Sequence, residues 1–467
     1  MTHACRFGFC LLLVGFAAAA RGEPVVYEGQ GGEGRRGPGA GRHVVLIASD
    51  HEYKSEEILP MLARILAKHH GFRCTMLFGT DPATGEIKPG SSHIPGTKAL
   101  DTADLLVIFT RFQNLPAEQM QPIVDYLDRG GPVVGLRTAT HGFKIPPDSP
   151  FAKYDWQHKG TDFVGGFGRQ VLGETWVGHY GANHTSSTRL DVVPGKAGHP
   201  VLAGVKAAWS ELGGYNAHPI EGSEVLVMAQ PLEGMQPDAP PDATRPPVAG
   251  AWVRSYTGRS GKAGRVFTST YGGPGDLEND GFRRMLVNAC FWAAGLETSI
   301  TSDLMTDLVG PYRPTWTGTN KRSAHVKPAD VAGFGTPILP PPSTAGASRT
   351  TDAAWTPLAV PGRWPADVGT AVRKAGGIGW YRCWVLISDG FLAKHERNLY
   401  EESVGLVIDD LAGGYAAFVN GKEIGRQASR TGGGEAQRHK VPVGTLQKGQ
   451  WNEIAIRVEA SADGNGF

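Results

Sequence analysis

Residues Gly130-Gly131-Pro132-Val133-Val134-Gly135-Leu136-Arg137-Thr138-Ala139-Thr140-His141-Gly142 read as a buried strand running into a tight turn. Many acyl-transfer folds set a nucleophile at such a turn. The elbow position here holds Arg137, which has no deprotonated form at working pH and cannot be that nucleophile. This argues against thiol acyl transfer and turns attention to the imidazole four residues on, His141.

Further polar residues stand just after two other apolar runs: Asp50, His51, Glu52, Tyr53 and Lys54 after the first, Thr110 and Arg111 after another. A loosely patterned segment adds His158, His179 and His184, and a later loop adds Glu211, Tyr215 and His218. Imidazoles beside a carboxylate suit general acid and base work. We therefore take His141, His51, His184 and Glu211 as candidate catalytic groups, and Glu52, Tyr53, Arg111, Arg137, Thr138, His179, Tyr215 and Tyr271 as candidate substrate-binding groups.

Each has a plainer alternative. Asp50 or Ser55 would serve as a helix cap, His141 could bond a loop carbonyl, and Arg137 could be either an internal partner holding the turn or a fork for substrate hydroxyls or carboxylate. Trp156, Trp176, Tyr180, Trp209, Tyr215 and Tyr271 offer flat faces for a ligand to stack on, or anchors for core and loops. Histidine and carboxylate would also suit a divalent ion. No H-E-x-x-H or C-x-x-C spacing occurs, so no metal site is assigned and the cofactor stays open. A two-carboxylate mechanism would have only Glu52 and Glu211 to draw on.

The elements that must position these groups are legible in the apolar pattern. His43 to Ala48 is a continuous apolar run suited to a strand buried on both faces, and Ser55 to His70 has helical spacing ending at Gly71. Phe72 to Phe78, Leu105 to Phe109 and Pro132 to Leu136 read as further strands, with a helix over Pro116 to Arg129. Alternating strand and helix imply a doubly wound, three-layer α/β sheet, in which ligands bind beyond the strands' carboxyl ends. Phe143 to Thr188 reads as an insertion over that edge; Val225 to Ala229, Val248 to Tyr256 and Arg265 to Tyr271 are β-like, and Asp280 to Ala294 is a closing amphipathic helix.

The chain has 467 residues, 40 % of them hydrophobic, and a formal net charge of +1. It is too long for one ordinary core, and its charge balance gives no basis for a nucleic-acid partner. Residues 1–20 read as a secretory signal, with Arg6, an apolar run from Phe7 to Phe16 and four alanines. The run is shorter than the roughly 20 residues that span a bilayer, so the expectation is cleavage, no membrane partner afterwards, and a secreted or periplasmic protein. Cys74, Cys290 and Cys383 lie in apolar segments and read as buried hydrophobes.

Residues 21–42 are glycine-rich and read as a flexible leader, 43–297 as the main domain, and 298–353 as a Pro-rich linker, strapped along that domain or free. From 354 to 467 the texture is all-β, with Gly379 to Leu386, Val404 to Asp409, Tyr415 to Val419 and Glu453 to Val458 as strands and Asn420-Gly421 as a turn. This suggests a β-sandwich.

Gly130 to His141, Trp176 to Gly181, His199 to Gly204, Trp209 to Tyr215 and Gly264 to Gly272, taken in order, resemble the trehalose-utilisation (ThuA-like) family. The resemblance implies a class I glutamine amidotransferase-like, flavodoxin-like fold that lacks the amidotransferase cysteine and has a carbohydrate-linked role. The chain departs from that pattern in carrying Arg137 where the family typically has a histidine. Gly379 to Arg382, Asp409 to Gly421 and Asn452 to Val458 are similar to a galactose-binding-type jelly roll, which implies a sugar-binding module. Two expectations follow: an exported enzyme acting on a sugar or modified sugar by His/Glu acid–base chemistry, as hydrolase or isomerase, or a non-catalytic glycan-binding or surface scaffold protein.

Overall fold

The computed structural model describes residues 23–30, 37–183, 185–312, 314–315, 326–336, 338, 378–387, 404–408, 414–427, 437–442, 444–447 and 450–459. The expected signal segment 1–20, His184, most of the expected linker beyond 338 and Asp409 lie outside the described residues.

In chain order the main unit contains β1 (Val25–Tyr27), β2 (His43–Ser49), α1 (Ser55–His70), β3 (Arg73–Phe78), β4 (Leu105–Thr110), α2 (Ala117–Asp128) and β5 (Val133–Leu136). Then come β6 (His179–Tyr180), β7 (Thr188–Val192), β8 (Trp209–Ser210), β9 (Gly214–Tyr215), β10 (Glu224–Pro231), β11 (Val248–Thr257), β12 (Ala263–Ser269) and α3 (Asp280–Ala293). One sheet runs β1-β3-β2-β4-β5-β12-β11-β10-β7-β8, with β6 and β9 paired separately. Strands β3, β2, β4, β5 and β12 are parallel neighbours, and the rest join antiparallel. The result is a large mixed α/β sheet. Its parallel strands, counted in chain order, lie 2-1-3-4-5, the flavodoxin-like order, whose direction of winding reverses between β2 and β4.

The parallel strands are buried on both faces, as their unbroken apolar runs require. Alternate residues divide between two cores: Val44, Leu46, Leu105, Val107 and Phe109 pack with α1 and α3, whereas Val45, Ile47, Leu106 and Ile108 pack with α2. Helix α1 ends at Gly71 in the left-handed region, where the N–H groups of Gly71 and Phe72 reach back to Ala67 and Leu66. The inserted segment after β5 also enters the second core through Phe143, Phe167, Val171 and Leu172.

Two boundaries move outward. The glycine-rich leader holds β1, which lies antiparallel on β3; Tyr27 is buried there and its hydroxyl donates to the Val331 carbonyl at 2.6 Å. Three residues suffice because alternation buries Val25 and Tyr27 against an existing sheet edge. Beyond 297, Leu304, Val309, Tyr312, Val326, Val331 and Ile338 are all part of the first core, so this stretch straps the main unit. The expected strand Arg265 to Tyr271 also begins and ends two residues earlier, which leaves Tyr271 beyond its end.

The tail strands β13 (Ile378–Ile387), β14 (Gly405–Ile408), β15 (Gly414–Val419), β16 (Lys422–Gln427), β17 (Gln437–Lys440) and β18 (Gln450–Glu459) form two antiparallel sheets, β13-β18-β15-β16 and β14-β17. They share a small core of Ile408, Tyr415, Ala417 and Val458. Asn420 and Gly421 both take positive φ, the requirement of the two-residue hairpin between β15 and β16.

Candidate functional site

The carboxyl ends of β2, β4 and β5 converge where the sheet changes winding direction. Backbone strain concentrates there: among the described residues five non-glycines have positive φ, and Lys54, Phe112 and Arg137 stand one behind each of these strands. Such conformations persist only where surrounding contacts impose them.

Behind β2, Asp50 is buried and shapes the turn. Its Oδ1 accepts from the backbone N–H groups of Glu52 (2.8 Å) and Tyr53, and its Oδ2 accepts from the Thr138 hydroxyl at 2.8 Å. Asp50 is thus a brace between two loops, while the helix N-cap position falls to Lys54, whose side chain makes no cap bond. Thr138 is committed to that brace and buried.

Behind β4, Arg111 pairs with Glu52 and lies 3.4 Å from His51 Nε2. Its guanidinium carbon is 5.1 Å from the centre of the Phe112 ring. His51, Glu52 and Arg111, expected separately from sequence, therefore form one contiguous group.

Behind β5, Arg137 is fully buried. Its Nη1 donates to the carbonyls of Gly213 and Thr270, both at 3.0 Å, while Nε and Nη2 find no hydrogen-bond partner among the described residues. The rings of Tyr53 and Tyr215 cover the guanidinium instead, at 3.8 and 4.9 Å from its carbon. Burial opposes the charge, but Tyr53, Tyr215 and Asp276 hold the group charged. Of its two expected roles, this geometry gives the internal one: Arg137 holds the turn and is not an exposed fork. A bulky cation at a tight elbow can avoid solvent only by facing carbonyls and rings, and both are present.

His141 lies at the end of the short helical turn Arg137–His141 and is buried. Its Nδ1 is 3.2 Å from the Thr140 hydroxyl, and no described residue hydrogen-bonds its Nε2. Phe112 (5.0 Å), Trp176 (5.2 Å), Tyr215 (5.8 Å) and Trp156 (6.2 Å) surround its ring. Burial holds His141 well below the ordinary histidine range, and Arg111, Arg137, His179 and His51 push in the same direction. The imidazole is neutral at neutral pH.

His179 reaches the same group from β6, which pairs with β9 so that His179 opposes Tyr215; its ring lies 5.5 Å from Trp176 and 5.8 Å from Tyr215. Asn183 closes the arrangement, donating to the Tyr53 hydroxyl at 3.0 Å and accepting from the Gly213 N–H at 3.1 Å.

Two expected members stand elsewhere. Glu211 shares its surroundings with Asp276, Glu278 and Glu57 and is pushed up to about 8, first by burial and then by those carboxylates; it is not among the groups acting on His141. Tyr271 is buried in the first core, its hydroxyl beside Gly214, so it supports the β9 turn from behind. The remaining histidines have local partners: His158 faces Asp162 at 3.6 Å and His218 faces Asn216 at 3.1 Å. Sequence reading missed Phe112 and Asn183. Phe112 follows Arg111 directly at a strand end and could have been included; Asn183 left no local signal, because its two partners are far away along the chain.

Among the described residues no three His, Cys, Asp or Glu side chains are grouped as a metal ion would need, and no described helix is long and apolar enough to cross a membrane.

No protein-family model and no curated protein matches the chain. Among solved structures, a ThuA-like protein from Parabacteroides merdae is similar over 60 % of this chain and 98 % of its own length, at 15 % identity and a TM-score of 0.34. A β-glucuronidase from Bacteroides uniformis is similar over 25 % of this chain at 25 % identity and a TM-score of 0.19, and one from Ruminococcus gnavus over 18 % at 18 % identity and 0.14. This chain spans 12 % of each of those glucuronidases. Superpositions this loose assign no activity, and the site geometry has to carry the functional reading.

Proposed function

We propose that this protein is an exported, ThuA-like carbohydrate-active enzyme, secreted or periplasmic, in which His141 acts as a general base on a sugar or modified sugar. The observation that carries this reading is the state of His141: an imidazole kept neutral by burial and neighbouring cations, with Nε2 uncommitted, inside a ring of aromatic faces.

A neutral imidazole is ready to take a proton from a sugar hydroxyl, or from a carbon next to a carbonyl. The imidazolium formed would be disfavoured by Arg111 and Arg137, which speeds return of the proton to the product. Arg111, partly exposed and beside His51, could stabilise negative charge developing on a substrate oxygen. Phe112, Trp156 and Trp176, each half-buried, present flat faces suited to the C–H side of a pyranose.

This favours isomerisation over two-carboxylate hydrolysis, since Glu52 is paired with Arg111 and Glu211 stands with other acids. The same density of rings also supports a second reading, a glycan-binding protein without turnover, and the tail sandwich would add a binding module to either. A panel of oligosaccharides and keto-sugars offered to wild type and His141→Ala separates the two. Turnover by wild type that disappears in the variant supports the enzyme; binding by both without turnover supports the binding protein.

A further inference from the structure

The elbow residue itself remains without a role in that chemistry, and its surroundings supply one. Arg137 touches four separate segments: Tyr53 behind β2, Gly213 and Tyr215 at β9, Thr270 behind β12, and its own turn leading to His141. A lysine would keep the charge and could still donate to both carbonyls from its one nitrogen, but it has no flat guanidinium to stack between the two rings.

We infer that Arg137 is a positioning residue: clamped between Tyr53 and Tyr215 and bonded to the carbonyls of Gly213 and Thr270, it fixes the Tyr215 ring against His141. The Tyr215 and His141 ring centres are 5.8 Å apart. Tyr215 in turn backs His179 through the β6–β9 pairing, so one guanidinium sets two walls of the site. The inference rests on the proposed role of His141 for its functional meaning but not for its structural content.

The charged and titratable groups facing His141 are Arg111 with its partner Glu52, His51, His179, Tyr215 and Arg137 itself. Arg137 is the nearest in sequence and the one sealed from solvent, so removing its charge should be felt by the imidazole.

The test uses the full chain, with histidine and tyrosine rings isotope-labelled and followed by NMR as pH is varied, in wild type, Arg137→Lys and Arg137→Met. In Arg137→Lys the charge stays and the fork is lost: the Tyr215 ring signals are expected to shift or broaden while His141 titrates as in wild type. In Arg137→Met the His141 titration is expected to rise by roughly one pH unit, as loss of a neighbouring cation requires. Tyr215 and His141 signals in Arg137→Lys that coincide with wild type would overturn the inference, as would an unmoved His141 titration in folded Arg137→Met. If Arg137→Met does not fold, Arg137→Lys decides alone. The readouts need no substrate, so absence of turnover in wild type would sink the enzyme reading and leave this result standing.

Discussion

The guanidinium carbon of Arg137 sits 3.8 Å from the centre of the Tyr53 ring, which joins the turn behind β5 to the turn behind β2 across the point where the sheet reverses its winding. The contact is desolvated on every side, a setting in which a cation over a ring contributes more than at an exposed position. Substituting Tyr53→Leu should therefore cost about 2 kcal/mol from that contact alone. Tyr53→Phe keeps the ring face and loses only the bond from Asn183, about 1 kcal/mol. Urea denaturation of both variants checks the order; equal losses would mean that the ring face contributes nothing.

The buried carboxyl groups of Glu211 and Glu57 make stability depend on pH. Glu211 is raised to about 8 and Glu57 to about 7, burial being the first cause in each. A carboxyl raised above its unfolded value near 4.5 binds its proton more tightly when folded. Its contribution is fully present below pH 4.5 and is lost as pH climbs through 7 to 8. Glu211→Gln, neutral at every pH, should melt higher than wild type at pH 8.5 and show little advantage at pH 5. A constant difference across that range would contradict the assigned cause.

Contact between the inserted segment and the elbow is equally open to test. A Cβ on Gly168 would stand 1.9 Å from the carbonyl oxygen of Thr140, one residue before His141. Gly168→Ala must push the turn at Gly168–Leu172 away from the elbow, at a cost of about 1–3 kcal/mol typical of overpacking. Calorimetry should show the lower melting temperature, and the His141 ring signal should move. Gly178→Ala, with open space around its Cβ, serves as the control.

How much of this could be read beforehand differs from residue to residue for physical reasons. The parallel strands and the helix Ser55–His70 declare themselves because burial on two faces demands unbroken apolar runs and burial on one demands a helical period. That His51, Glu52, Arg111 and His141 lie at one edge is legible because topology alone sends strand ends there. The surroundings of Glu211 are not legible, because a carboxylate's companions are set by tertiary folding: Asp276 comes 65 residues later, and its Oδ1 accepts from the Glu211 N–H at 3.2 Å. β1 escapes because a three-residue strand carries too little pattern to rise above its glycine-rich surroundings, although Phe72 to Phe78, the strand it pairs with, is legible.

The most direct test of the whole account is the pH dependence of kcat/KM on whichever sugar the panel identifies, measured beside the His141 titration in the same protein. The account predicts that the rate falls toward acid in step with protonation of His141, at a pH below the ordinary histidine value of 6.5, and that His141→Ala loses turnover by 100-fold or more, on the order of what a positioned base supplies, while still binding the sugar. Undiminished turnover in His141→Ala, or an acid limb that bears no relation to the His141 titration, would contradict it.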